Sequence, residues 1–157
     1  MMRYRLLLAV AASVAAVNAL TQLVAVALSH WRGPVFLPGG WALQVAHNNG
    51  VIGGMGAGTI APDVFAIGAA VQIAFLAFLT RRQRGPLRAV ALGLLAGAAI
   101  GNEGESRLFG YVVDWIWPAH LPIAFNLADV AMVCGEVLMI TVILHPRTRR
   151  TQAAVTP

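Results

Sequence analysis

The chain has 157 residues, 59% hydrophobic and only 11% charged, where a soluble domain carries roughly 25% charged residues. So few charges in so short a chain exclude a water-soluble globule and point to an integral membrane protein of one domain. The formal net charge of +5 rests on arginine alone, and the arginines sit in short clusters between apolar runs, which does not suggest a nucleic-acid surface. The single cysteine, Cys134, allows neither an internal disulfide nor a cysteine-based metal site.

A basic tip, Met1–Arg5, precedes an apolar run over residues 6–28. At about 1.5 Å per residue that run is long enough to cross roughly 30 Å of hydrocarbon. The basic start and the trio Val17-Asn18-Ala19 also suit a cleavable signal peptide, but the apolar run continues past them and is read as a retained helix. On it, Asn18 and Gln22 lie four apart and form a polar patch suited to interhelical hydrogen bonds. Residues 30–61 contain prolines, many glycines and strand-like pieces. Trp41–Ala46 alternates as a short strand, and His47-Asn48-Asn49-Gly50 is a turn signal. Such backbone cannot face lipid with its amides unpaired, so a small β-structured cap at the interface is expected. The glycines at 54–58 lack the strand–turn–helix context of a dinucleotide site.

A second span is predicted over 64–80, opened by Pro62-Asp63, both favourable at a helix start. Four arginines follow between Arg81 and Arg88. The third span, 87–102, is rich in Gly and Ala, which let helices approach closely in lipid. The fourth covers 123–144. The expected architecture is therefore an all-α membrane domain, residues 1–146, of four transmembrane helices with an extracytoplasmic β-cradle, and a basic, disordered cytoplasmic tail, 147–157. Nine of the eleven arginines fall on the side of the termini. By the positive-inside rule both termini are cytoplasmic, and the loops 30–61 and 103–122 lie outside.

Residues 101–129 hold four of the six carboxylates: Glu103, Glu105, Asp114 and Asp129. An ionisable group inside a span is costly and is a functional hypothesis by default. Asn126 precedes Asp129 by three residues, and Asp114 lies in the β-branched, aromatic piece GYVVDW. If the two aspartates meet, they cannot both ionise; they share a proton, as in aspartic proteases. The competing reading is a helix cap or an ion pair, with Arg107 as partner for Asp114, Glu105 or Glu103. Glu136, two turns beyond Asp129, is read first as a protonated packing residue bonded between helices, and second as part of a proton path. His30, His47, His120 and His145 have no metal-ligand spacing, so no metal is expected.

On these residues the chain resembles lipoprotein signal peptidase, the type II signal peptidase of bacteria. Asn48-Asn49-Gly50 is similar to the family's Asn-x-Gly motif, Gly101-Asn102 to the start of GNxxDR, GYVVDW to the VVDF motif, and FNLAD at 125–129 to FNxAD. The resemblance implies that Asp114 and Asp129 are the catalytic pair, with Asn48, Gly50, Asn102, Asn126, Glu105 and Arg107 supporting the site or binding substrate. It implies an aspartic endopeptidase of the cell inner membrane, active on its extracytoplasmic side, that cuts diacylated prolipoprotein just before the lipidated cysteine. Membrane lipids are the surroundings, no cofactor or nucleic acid is implied, a monomer is expected, and globomycin is the expected inhibitor. The chain departs from the family pattern at Glu105-Ser106, where the family has Asp-Arg, and at Asn18 and Gln22, where an acid and a lysine are frequent. A non-catalytic or repurposed relative that binds lipidated peptides or a membrane partner is the alternative.

Overall fold

The computed structural model describes residues 4–50, 56, 62–82 and 85–145. The expected disordered tail at 147–157, and the glycines at 54–58 other than Gly56, lie outside the described residues. In chain order the elements are α1 (Tyr4–Arg32), β1 (Val35–Phe36), β2 (Ala42–Asn48), α2 (Pro62–Leu79), α3 (Pro86–Phe109), β3 (Val112–Trp117) and α4 (Leu127–Leu144). The expectation of a helical chain with a small β-cap is met. α1 and α4 are each long and apolar enough to cross a membrane, and Ala66–Leu79 of α2 is a shorter apolar helix.

The helix α3 is the centre of the bundle, packed closely on α1 and α4 and more lightly on α2. Its small residues make this possible. A Cβ on Gly93 would sit 2.8 Å from the Leu7 carbonyl oxygen, and one on Gly97 would sit 2.6 Å from that of Ala11. Gly101 continues the same row, one more turn along, beside Asn18. On the other side Gly135 of α4 admits Leu95. Ala91, Leu92, Leu95, Met139 and Val142 form the main buried cluster, and Ala98, Ala128 and Ala131 a second one nearer the site. Arg88 is buried at the start of α3 and donates to Thr80 Oγ1 at 2.9 Å and to the Ala77 carbonyl at 2.8 Å, which ties α3 to the end of α2.

Several boundaries differ from the sequence reading. The first helix runs on to Arg32, four residues past the expected end at 28 and into the segment expected to be irregular. The third helix does not stop at residue 102; it runs to Phe109 and ends on Gly110, whose φ of 80° permits the left-handed turn and whose N–H donates to the Ser106 carbonyl. Glu103, Glu105 and Arg107 therefore stand on a helix and not in a loop. The fourth helix starts at Leu127, four residues later than expected, because Phe125 is extended and exchanges backbone bonds with Ile116. The β-cap also draws a strand from the second loop. It is a three-stranded antiparallel sheet in the order β1-β2-β3, with Ala46 opposite Asp114 and Asn48 opposite Val112.

Candidate active site

The site lies where β3, the N-terminus of α4 and the polar end of α3 meet. Asn126 is the N-cap of α4. Its Oδ1 accepts from the N–H groups of Ala128 and Asp129 at 2.8 and 3.1 Å, while Asp129 Oδ2 accepts from the Asn126 N–H at 2.9 Å. That reciprocal capping box fixes both side chains at the helix start. The amide nitrogen of Asn126 then reaches away from the helix. It donates to Asp114 Oδ1 at 2.9 Å and to Asn102 Oδ1 at 3.1 Å. Asn102 in turn donates to Asp129 Oδ1 at 2.8 Å.

Asn48 completes the ring from the sheet. Its Nδ2 donates to Asp114 Oδ2 at 2.9 Å, and its Oδ1 accepts the Gly50 N–H at 2.9 Å, a local turn that aims the amide at the aspartate. One asparagine, Asn126, thus joins the two aspartates, and each carboxylate accepts two N–H donors. Asn126 is fully buried and Asp114 is 3% exposed. Burial, with Asp129 and Glu105 adding repulsion, pushes the Asp114 carboxyl up to about 6 against the bonds from Asn48 and Asn126.

The sequence patch on α1 is also engaged. Asn18 Oδ1 accepts the Ala128 N–H at 3.0 Å, and Gln22 Nε2 donates to Glu105 Oε2 at 2.7 Å and to the Val113 carbonyl at 3.0 Å. The ion pair expected for Arg107 with Asp114, Glu105 or Glu103 is not formed. Arg107 Nη2 meets Asp63 Oδ1 at 2.7 Å instead, with both side chains largely exposed, while Asp114 is taken up by Asn48 and Asn126 and Glu105 by Gln22. Glu136 is held by Gln72 of α2 at 3.0 Å, an interhelical bond as first expected. Gln22 as a partner of Glu105 was not legible from spacing; only its type and its place four residues after Asn18 hinted at a polar contact.

The family profile of signal peptidase (SPase) II matches residues 10–145. The chain belongs to that family. Curated lipoprotein signal peptidases are similar along most of their length: that of Syntrophomonas wolfei is 36% identical over 119 residues, covering 75% of this chain and 78% of the relative. That of Mycobacterium avium is 35% identical, over 88% of this chain and 78% of the relative. Two solved bacterial membrane enzymes, both determined by the in meso method, have the same fold. One superposes with a TM-score of 0.69 at 25% identity over 89% of this chain and 93% of its own. The other reaches 0.71 at 24% identity, over 96% and 94%. As a signal peptidase II family member the chain is a peptidase, and the helices α1 and α4 suit its membrane setting.

Proposed function

We propose that this signal peptidase II works as an aspartic endopeptidase, with Asp114 and Asp129 as its catalytic pair. The observation that carries the reading is the single buried amide of Asn126, bonded to Asp114 and locked by the capping box to Asp129. Nothing about a helix cap alone requires that amide to reach a second carboxylate. In the reaction, one carboxyl keeps a proton and polarises the scissile carbonyl, while the other takes a proton from the attacking water. Asp114 is suited to hold the shared proton, because burial makes its charged form costly. Asn48, Asn102 and Asn126 keep the oxygens oriented, so little rearrangement is needed at the moment of reaction.

The substrate class is a diacylglyceryl-modified prolipoprotein, cut before its lipidated cysteine. The reading includes one domain over residues 1–146 with four membrane spans, both termini cytoplasmic, the aspartates at the extracytoplasmic edge and a monomer as the working unit. Two features support four spans. At 1.5 Å per residue α2 and α4 are about 27 Å long and α3 about 36 Å, close to the hydrocarbon thickness. The outer face of α2 carries Ile67, Val71, Phe75 and Phe78 exposed at helical spacing, a face made for lipid.

A gel-shift cleavage assay tests this. Purified protein in detergent meets a diacylated prolipoprotein, with and without globomycin, beside Asp114→Asn and Asp129→Asn. Cleavage by the wild type that globomycin stops and either substitution abolishes is the expected result. Undiminished cleavage by both variants refutes the pair; no cleavage by folded wild-type protein across several lipobox substrates favours a relative that only binds lipidated peptides.

A further inference from the structure

A second set of polar side chains flanks the aspartates and takes no part in the chemistry above. Gln22 of α1 is buried, and its Nε2 bridges Glu105 Oε2 of α3 and the backbone carbonyl of Val113 on β3. Glu105 also accepts a hydrogen bond from the Val113 backbone. Val113 immediately precedes Asp114. Both polar groups of the Val113 main chain are therefore gripped, one by each side chain, and the two side chains are bonded to each other. Two helices, α1 and α3, close on this one residue of β3.

The ionisable groups around this point come from α3, α4 and β2. Asp129 faces Asp114 from α4. His47 of β2 lies within electrostatic range of Glu105 and stacks on Tyr111 with ring centroids 4.2 Å apart. Glu103 sits one half-turn back on α3, and Arg107, two positions on, is paired with Asp63. An uncharged amide, and not a cation, thus holds the Glu105 carboxylate next to the aspartates.

We propose that Gln22 and Glu105 are positioning residues for the reaction: together they clamp the Val113 main chain and so set the Asp114 carboxyl. Glu105, close by, also repels the ionised form of Asp114. The inference rests on the reading of Asp114 as half of the catalytic pair. It gives Gln22 and Glu105, both outside the proposed catalytic pair, a joint role at the residue next to Asp114.

The test uses the full chain in detergent micelles and a synthetic diacylated lipobox peptide, with kcat, KM and the pH profile measured for Gln22→Ala, Glu105→Ala, Glu105→Gln, Gln22→Lys and Asp114→Asn. Loosening the clamp should lower kcat about tenfold or more in the two alanine variants, with KM within about twofold, because misplacement of a reacting group acts on the chemical step. The double alanine variant should fall no further than the worse single one, as expected of groups acting as a unit. Glu105→Gln keeps an acceptor oxygen and should recover most of kcat, while moving the alkaline limb of the profile to lower pH. Gln22→Lys neutralises Glu105 in place and should move it the same way. Unchanged kcat in both alanine variants, with Asp114→Asn inactive, overturns the clamp and leaves the catalytic pair standing. Turnover retained in Asp114→Asn overturns the pair itself. If the alanine variants fail to fold, Glu105→Gln and Gln22→Lys decide: a limb that stays put in both overturns the proposal.

Discussion

Asp114→Asn should make the protein less sensitive to rising pH, and the size of the effect can be worked out. The folded carboxyl sits at about 6 against an ordinary 3.8, a difference worth about 3 kcal/mol at 1.36 kcal/mol per unit. The sign follows from proton counts. Between these two values the folded state still binds the proton that the unfolded state has lost, so stability is greatest below the lower value and falls as pH rises through the higher one. About 2 kcal/mol of the loss falls between pH 4.5 and pH 7.5. Asparagine carries no charge and has no such slope. It does oppose one amide donor, Asn48 or Asn126, with its own NH₂, a pH-independent cost of about 1 kcal/mol. Thermal unfolding in detergent, followed by tryptophan fluorescence at the two pH values, measures the effect. The variant should gain on the wild type by several degrees on going from pH 4.5 to 7.5. A difference between the two proteins that is the same at both pH values would refute the claim that Asp114 is charged at a cost in the folded state.

Gly97→Val should destabilise the bundle by about 1–3 kcal/mol or prevent folding, since its Cβ would already meet the Ala11 carbonyl at 2.6 Å and Val14 Cβ at 2.7 Å; the melting temperature reads it. Asn126→Ala removes the cap of α4 and the link between the aspartates, and should cost about 1–2 kcal/mol of stability together with nearly all turnover, seen by combining a melt with the cleavage assay. Arg107→Ala breaks an exposed pair with Asp63 and should change stability by less than about 1 kcal/mol; a larger loss in the same melt would mean that Arg107 supports more than that pair.

The four helices and the small sheet were legible because their signals are local: long apolar runs, a proline and acid at a helix start, an alternating WALQVA. The asparagines of the site were legible as members of quoted motifs, and the structure joins all three to the aspartates. What sequence reading mishandled were two polarity judgements. The charges of GNEGES looked like a loop, yet Gln22 takes up one carboxylate and Asp63 the arginine that follows, so the helix continues to Phe109. The apolar piece from Ile123 to Phe125 looked like membrane helix, yet Phe125 pairs with Ile116 and only Asn126 starts the turn. Contacts between residues 83 apart, such as that of Gln22 with Glu105, leave no periodic trace for a single sequence to show.

The cap of α4 bears on how the protein comes into being. During synthesis Asn18, Gln22, Asn48 and Asn102 all emerge before residue 126 does, and Asp114 waits with them. Until the start of the last helix arrives, Asp114 has no Asn126 amide and Asp129 does not yet exist. The same residue that begins that helix joins the two carboxylates, so a chain that stalls before it leaves Asp114 without the Asn126 amide and without Asp129 beside it. On the proposed reading of the two aspartates, the peptidase site is therefore completed only as the last helix begins.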